Sequence, residues 1–424
     1  MPRSTIVCGI LVGGLCVAAQ AQSRLGGYVK FYHHNRFEGT SEMARTGTRL
    51  QLTAQQSFAQ KAALFGSLDF DVNETEGRGQ FFRHRGASVE VYPVELYVDL
   101  YSPYADVRLG KQFIFWGKAE WINPTDNINP WDYANMSAEI EDYRLPVTAA
   151  RLDLYLGPTT LELVTVPVFL PHRIPGLEER ELQIPNGPTV VWKSPQLPPA
   201  RLSQAELAVR LMGRVAGADL SLSYYRGHDH SPSYRKAFWF SASQSRIELA
   251  PFFPSLNVIG GDLQKVFGQW GIRAEGAYFR TEDRDGRDVL LPNPHATVVT
   301  GLDYTPSEQL GLTLQLSLDR RFRYVESWER AQRETLGLEG APPRNTYALS
   351  GRFRWKPADY WDSQTIFVWN RPTGDRFVLA FVSHQPVDAL SLTIGGVFFG
   401  GPSDTPFGRM RDQDRLFLEV KASF

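Results

Sequence analysis

The stretch "LGLTLQLSLDR", residues 310–320, carries leucine at every second position from Leu310 to Leu318. Gly311, Thr313, Gln315, Ser317 and Asp319 fill the places between. Successive side chains of a β-strand point to opposite faces, so the segment reads as a strand with one aliphatic face and one small, polar face. Half-buried strands of water-soluble proteins alternate over roughly 4–8 residues, and here the alternation runs further than that. What matters is whether the leucines meet a protein core or lipid.

The same alternation recurs along the chain. "ALFGSLDFDV" (63–72) sets Leu64, Leu68, Phe70 and Val72 against Ser67, Asp69 and Asp71. "ARLDLYL" (150–156), "ADLSLSYY" (218–225), "YALSGRFRWK" (347–356) and the final "RLFLEVKASF" (415–424) do likewise. Strands are predicted near 25–35, 46–56, 62–72, 87–101, 105–116, 147–156, 160–168, 203–214 and 218–227. Further strands follow near 256–267, 270–281, 296–305, 310–322, 346–356, 363–370, 376–384, 390–399 and 413–424. The count is 18, with 16 as the alternative, because "TIFVWN" (365–370) fits either register and Pro93 calls for a bulge.

Connections after even-numbered strands are short and built from turn residues, such as "GPTT" (157–160) and "VAGA" (215–218). After odd-numbered strands they are often long, as at 117–146, 169–202, 228–255 and 323–345. Short turns on one rim and long loops on the other are the layout of an outer-membrane barrel, and an even strand count leaves both termini on the short-turn rim. The polar faces carry Asp, Arg, Glu, Gln and Ser, which an enclosed core would not accept unpaired, while the apolar faces are almost free of charge. The inside is therefore expected wet and the outside greasy. The leucines of 310–318 face lipid in this reading, an all-β, antiparallel transmembrane β-barrel.

Composition agrees. The mean hydropathy of −0.29 speaks against a bundle of membrane helices but not against a barrel, whose strands need be apolar only at alternate residues. Balanced charge, 45 Lys+Arg against 46 Asp+Glu, gives no field for nucleic acid. Residues 1–21, "MPRSTIVCGILVGGLCVAAQA", read as a signal peptide: Arg3, an apolar run from Ile6 to Ala18 that is too short to span, and an Ala19-Gln20-Ala21 cleavage site. Both cysteines, Cys8 and Cys16, lie in it, so residues 22–424 have neither disulfides nor a thiolate metal site and rely on the sheet.

The segment "RLGKQFIFWGKAEWINPTDNINPWDYANMSAEIEDYRLP" (108–146) is the third long-rim connection and is dense in Asn-Pro and Asp turns. Leu109, Gly110, Lys111, Gln112, Trp116, Gly117, Asn123, Pro124 and Asp126 form an "LG[KR]Q…WG…NPxD" pattern. The chain here resembles porin-superfamily barrels, in particular proteobacterial outer-membrane proteins carrying that segment. The resemblance covers about 20 residues. It implies that 117–146 is an inward-folded third extracellular loop that narrows the lumen; the alternative is a loop that only caps the mouth. Chain-terminal Phe424, preceded by alternating apolar residues, resembles the signal that the barrel-assembly machinery reads.

With the leucine face in lipid, Arg49, Arg108, Arg151, Arg210, Arg273, Arg352 and Arg354 point into the lumen, with Asp69, Asp153, Glu206, Glu275, Asp303, Asp319 and Glu419. Candidate pore-lining and constriction residues are Glu139, Glu141, Asp142 and Arg144 of the loop and Arg352, Arg354, Arg210 and Arg151 of the wall, with Arg352 and Arg354 the best candidate ladder opposite the loop acids. The plain alternative for each is a charge paired across strands. "HDH" (228–230) and His33-His34 have no partner at metal-ligand spacing and are expected to be exposed on the rim. Trp116, Tyr224, Trp270, Tyr304 and Trp355 suit interfacial girdles. No nucleophile elbow or phosphate-binding loop is present, so no enzyme, cofactor or metal is expected. The expected function is a porin-like outer-membrane channel for passive diffusion of small hydrophilic solutes, with lipid as surroundings and homo-oligomers compatible. The alternative is a barrel component or partner of an envelope export or assembly complex.

Overall fold

A computed structural model describes residues 22–36, 43–75, 88–133, 143–174, 180–183, 189–240, 245–335, 340–402 and 405–424. The expected signal peptide, and Glu139, Glu141 and Asp142, lie outside these residues.

Strands alternate up and down from the N-terminal side: β1 (Gln22–Arg36), β2 (Met43–Phe58), β3 (Ala62–Thr75), β4 (Ser88–Tyr101), β5 (Ala105–Gln112), β6 (Val147–Leu156) and β7 (Thr159–Val166). Two short strands, β8 (Arg180–Gln183) and β9 (Thr189–Trp192), precede β10 (Glu206–Val215) and β11 (Ala218–His228). Two more, β12 (Ser233–Phe240) and β13 (Ser245–Phe252), precede β14 (Ser255–Phe267), β15 (Trp270–Arg280), β16 (His295–Ser307) and β17 (Leu310–Arg321). The one described α-helix, α1 (Glu326–Thr335), leads to β18 (Asn345–Trp355), β19 (Trp361–Arg371), β20 (Arg376–Val387), β21 (Leu390–Gly400) and β22 (Arg415–Ser423).

Eighteen of these strands form one antiparallel sheet that closes on itself. Closure is made by β1 and β22, in register from Tyr28 opposite Ser423 to Arg36 opposite Arg415. β1 begins and β22 ends on the short-turn rim, where Gly27 and Phe424 exchange backbone hydrogen bonds of 3.1 and 3.0 Å. All 18 predicted strands are found in order, and long and short connections segregate by rim as the sequence requires. Closing the sheet removes its edges, which is how a sheet satisfies its backbone in lipid. Among the described residues no helix is long and apolar enough to cross a membrane.

Register follows the alternation. Leu314 is 48% exposed on the outer face and its neighbour Gln315 only 2%. The bulge expected at Pro93 is present: Ser67 faces Glu95 and Leu68 faces Pro93, which leaves Val94 as the extra residue. The β10–β11 turn places Ala216 and Gly217 at φ 51° and 76°, the pair of positive angles that a two-residue hairpin demands. Trp270 and Tyr304 stack at 4.2 Å on the short-turn side, and Tyr224 and Trp355 are also exposed, as a girdle requires.

Three expectations change. The predicted 105–116 strand stops at Gln112, and residues 113–116 turn inward, so Trp116 is buried rather than interfacial. The long connections contain structure that the alternation did not reveal: α1, and a four-stranded sheet in the order β12-β13-β9-β8 whose β13–β9 pairing is parallel. The inside is also not uniformly wet. Val147, Ala149, Val164, Val166, Ala208, Leu256 and Val258 face inward and pack on Ile114, Trp116 and Ile128 of the third loop. A second inward patch, Ile366, Val368, Phe377, Leu379, Val397, Phe399 and Phe417, packs on Trp121, Ile122, Phe407 and Met410. Inward apolar residues are stable where loops, not water, cover them.

Candidate functional site

The third long connection leaves the wall at Phe113, crosses the lumen and is fastened to strands on the far side. Its first turn is set by Gly117, at φ +83°, where a Cβ would collide with the Asn123 side chain and stand 2.6 Å from the Glu275 carboxylate. Only glycine fits that position. Asn123 Nδ2 donates to the Trp116 carbonyl at 2.8 Å, and Asn123 Oδ1 accepts from Asp126 N at 3.1 Å. Asn129 accepts from Ile114 N at 2.7 Å and donates to the Leu145 carbonyl at 2.7 Å, stapling the outgoing and returning arms. Trp116, Gly117, Asn123 and Asp126 thus shape the loop, and Gln112 at its root is fully buried and donates to the Ala149 carbonyl at 3.1 Å.

Glu275, buried on the inner face of β15, receives the loop. Its Oε2 accepts from Lys118 N (2.7 Å) and Ala119 N (2.9 Å), and its Oε1 accepts from Thr125 N and Thr125 Oγ1, both at 2.8 Å. Four donors on one carboxylate offset the cost of burying its charge. Gln315 of β17 adds two bonds, accepting from Glu120 N at 2.7 Å and donating to the Glu120 carbonyl at 3.1 Å. The Glu120 side chain lies 3.3 Å from Arg273 and 2.9 Å from Arg352. Beside it, Trp121 adopts φ +64°, a region that bulky residues rarely enter, and its ring packs 6.3 Å from Phe377. The loop tip is therefore held by charge on β15 and β18 and by apolar contact on β20.

Inside the loop, Asp126 pairs with Arg144, whose guanidinium also lies 4.2 Å above the Trp131 ring. Burial pushes the Asp126 carboxyl up to about 6, although Arg144 opposes that shift. Burial likewise pulls Arg144 down, so desolvation outweighs the pair on both sides. His230 ties the loop to its neighbours: Nδ1 is 2.6 Å from the Leu170 carbonyl and Nε2 is 3.1 Å from the Asn127 carbonyl. His172 Nδ1 accepts from Trp131 N at 2.8 Å, and burial holds its pKa well below the ordinary histidine value. The expectation of exposed rim histidines is therefore corrected, since His230 and His34 are both buried.

Below the loop tip lies a cavity of about 950 Å³ whose lining includes Gln309 and Lys356 of the short turns. Trp121 and Tyr143 line it along with Arg352 and Arg354 of β18, Phe381 of β20 and the turn at Lys356.

The chain matches a family model described as "Protein of unknown function (DUF1302)" over residues 71–369. The chain belongs to that family. No functionally curated protein matches it. Among solved structures it is similar to OccK5 (OpdH) of Pseudomonas aeruginosa, with a TM-score of 0.54 at 10% identity over 95% of this chain and 97% of that one. OccK11 (OpdR) of the same organism gives 0.52 at 9% identity, over 95% and 96%. Its OpdQ gives 0.52 at 7%, over 95% and 98%. At such identities the likeness is one of fold: this DUF1302 chain shares the closed barrel of those structures.

The structure brings some of the candidate residues together and separates others. Arg352 meets the loop, but through Glu120. Arg354 pairs with Asp362 on the next strand, its Nε 3.0 Å from Oδ1. Arg210 pairs with Asp262 at 3.4 Å, and Arg151 with Glu162 at 3.0 Å and Asp153 at 2.9 Å. Arg144 is buried within the loop. Cross-strand pairing is thus the state of these wall arginines. Glu275 is an inward acid by its place in the alternation and Glu120 lies within the 108–146 segment, but nothing in the sequence links residues 150 or more positions apart.

Proposed function

We propose that this barrel is an outer-membrane channel for passive diffusion of small hydrophilic solutes, with the third loop as its constriction. The observation that carries the reading is the fastening of Lys118–Thr125 to Glu275 across the lumen. A loop that only capped the mouth would not reach inward side chains of β15, β17 and β18. A tip held on two sides leaves a fixed aperture, and few charges at a narrow point dominate which solutes pass. In this reading Glu120, Arg352 and Arg354 set the charge of the passage, with Glu139, Glu141 and Asp142 adding to the acidic side. Phe424, 67% exposed at the short-turn rim, supports recognition of the chain end by the assembly machinery.

The test is conductance of the purified barrel in planar bilayers, paired with liposome swelling in sugars of graded size. Wild type is expected to conduct with a size cut-off. Replacing 114–143 by a short Gly-Ser linker interrupts no described strand and should raise both conductance and cut-off. A barrel that never conducts, with or without the loop, would overturn the reading.

A further inference from the structure

The lipid-facing side of the barrel strands is apolar or aromatic over most of its height, and its described arginines gather at the long-loop rim. Arg226, Arg280, Arg320, Arg371 and Arg376 are exposed and in outward register at the long-loop ends of β11, β15, β17, β19 and β20. The register settles the side: Arg226 and Arg280 both stand opposite Asn257, Arg371 opposite Tyr347, and Arg376 opposite Trp369. In the sheet order β11-β14-β15-β16-β17-β18-β19-β20 the first four occupy every second strand. Their lateral spacing is then about 10 Å.

Three of them repeat one local pattern, an aromatic residue two positions earlier on the same face. Tyr224 precedes Arg226, Tyr278 precedes Arg280 and Trp369 precedes Arg371, and all three rings are exposed. Aromatic side chains of this kind sit at the edge of the hydrocarbon layer. Two residues further along a strand is about 7 Å, which carries the guanidinium into the head-group layer.

These arginines differ from those inside. Each lumen arginine named above has a carboxylate partner, whereas none of these five forms an ion pair among the described residues. On the strands that carry the row and those between them, the described carboxylates Asp219, Asp262, Glu275, Asp303, Asp319 and Asp362 lie in inward register. The outward lysines do not extend the row, since Lys265 donates to the Ala216 carbonyl at the opposite rim and Lys111 stands alone on β5.

We propose that this arginine row binds the phosphate groups of the outer-leaflet glycolipid, lipid A. Long loops mark the outer side in barrels of this kind. The planar guanidinium fork fits phosphate oxygens in bidentate fashion. A second copy of the chain is the poorer occupant, because a two-fold contact would set the same cationic row against itself. Soluble anions would need no aromatic anchor beneath Arg226, Arg280 and Arg371.

The intact barrel, placed in nanodiscs of zwitterionic lipid doped with lipid A, with dephosphorylated lipid A or with phosphatidylglycerol, is assayed for retained lipid by native mass spectrometry. Wild type should retain lipid A over both controls, and R226Q, R280Q and R320Q should each lower that retention about fivefold. Conductance should stay unchanged, since these side chains face away from the lumen, so failure here is distinct from failure of the channel reading. Equal retention of lipid A and its dephosphorylated form by wild type would overturn the proposal even if no variant folds. Retention of phosphatidylglycerol equal to that of lipid A, or undiminished retention in a folded variant that combines R226Q, R280Q and R320Q, would do the same.

Discussion

Glu275 and Thr125, 150 residues apart in sequence, are joined twice: one carboxylate oxygen accepts both the backbone N–H and the hydroxyl of Thr125. The other oxygen takes the two amides of Lys118 and Ala119. A single wall residue therefore fixes both arms of the loop tip. Glu275→Gln presents an amide donor to two of those donors, and each hydrogen bond to a charged group contributes roughly 1.5–3 kcal/mol. The barrel should still assemble while the loop loosens, giving larger and noisier single-channel currents. Thr125→Val removes only the hydroxyl bond and should have a much smaller effect. Quiet, unaltered currents in Glu275→Gln would show that the loop is held elsewhere.

Leu314 and Gln315 are neighbours with opposite surroundings. Leu314→Arg puts a charge into lipid and should cost about 2–4 kcal/mol if it meets the bilayer midplane. Gln315→Ala should leave unfolding in denaturant nearly unchanged and instead raise conductance, because it releases both bonds to the Glu120 backbone. Equal loss of stability in the two variants would contradict the register.

Glu120 is shared by Arg273 and Arg352. Glu120→Gln leaves two guanidinium groups uncompensated by it and should move the reversal potential towards anion preference. Arg352→Gln should move it towards cations. Both shifts should shrink in molar salt, where the screening length is about 3 Å. Reversal potentials that are the same in both variants and in wild type at low salt would place the selective charges outside this cluster.

Asp126 gives a pH dependence of definite sign. Its folded-state pKa, about 6, is raised above the ordinary value of 3.8 by burial. The folded protein thus holds this proton more tightly than the unfolded chain does. The resulting stabilisation is full below the ordinary carboxyl value and is lost as pH rises through about 6. Amide exchange of Trp116, whose N–H points at Asp126, should report it. After correction for intrinsic exchange, protection should fall between pH 4 and pH 6 in wild type and stay flat in Asp126→Asn. A slope that persists in the variant would assign the titration to another group.

The barrel was legible in the chain because its determinants are local. Alternation of Leu310–Leu318 with Thr313, Gln315 and Ser317 fixes strand, register and lipid face within ten residues. Turn chemistry at Ala216-Gly217 and the long-short rhythm of connections then order the strands. In the third loop, the need for glycine at 117 and for the Asn123 and Asp126 caps is likewise local.

Where that loop goes could not be read in the same way. Its partners Glu275, Gln315 and Arg352 lie on β15, β17 and β18, and any inward acid or arginine of the wall has the same sequence signature. Nor does periodicity tell an inward apolar strand face under a loop, such as Ile366 and Val368, from one that faces lipid. The parallel pairing of β9 with β13 joins two separate long connections that carry no common pattern. Sequence alone determined the wall, because a strand's two faces are written in neighbouring residues. The tertiary structure decided what fills the wall, because closure brings distant side chains within hydrogen-bond reach and only then selects among them.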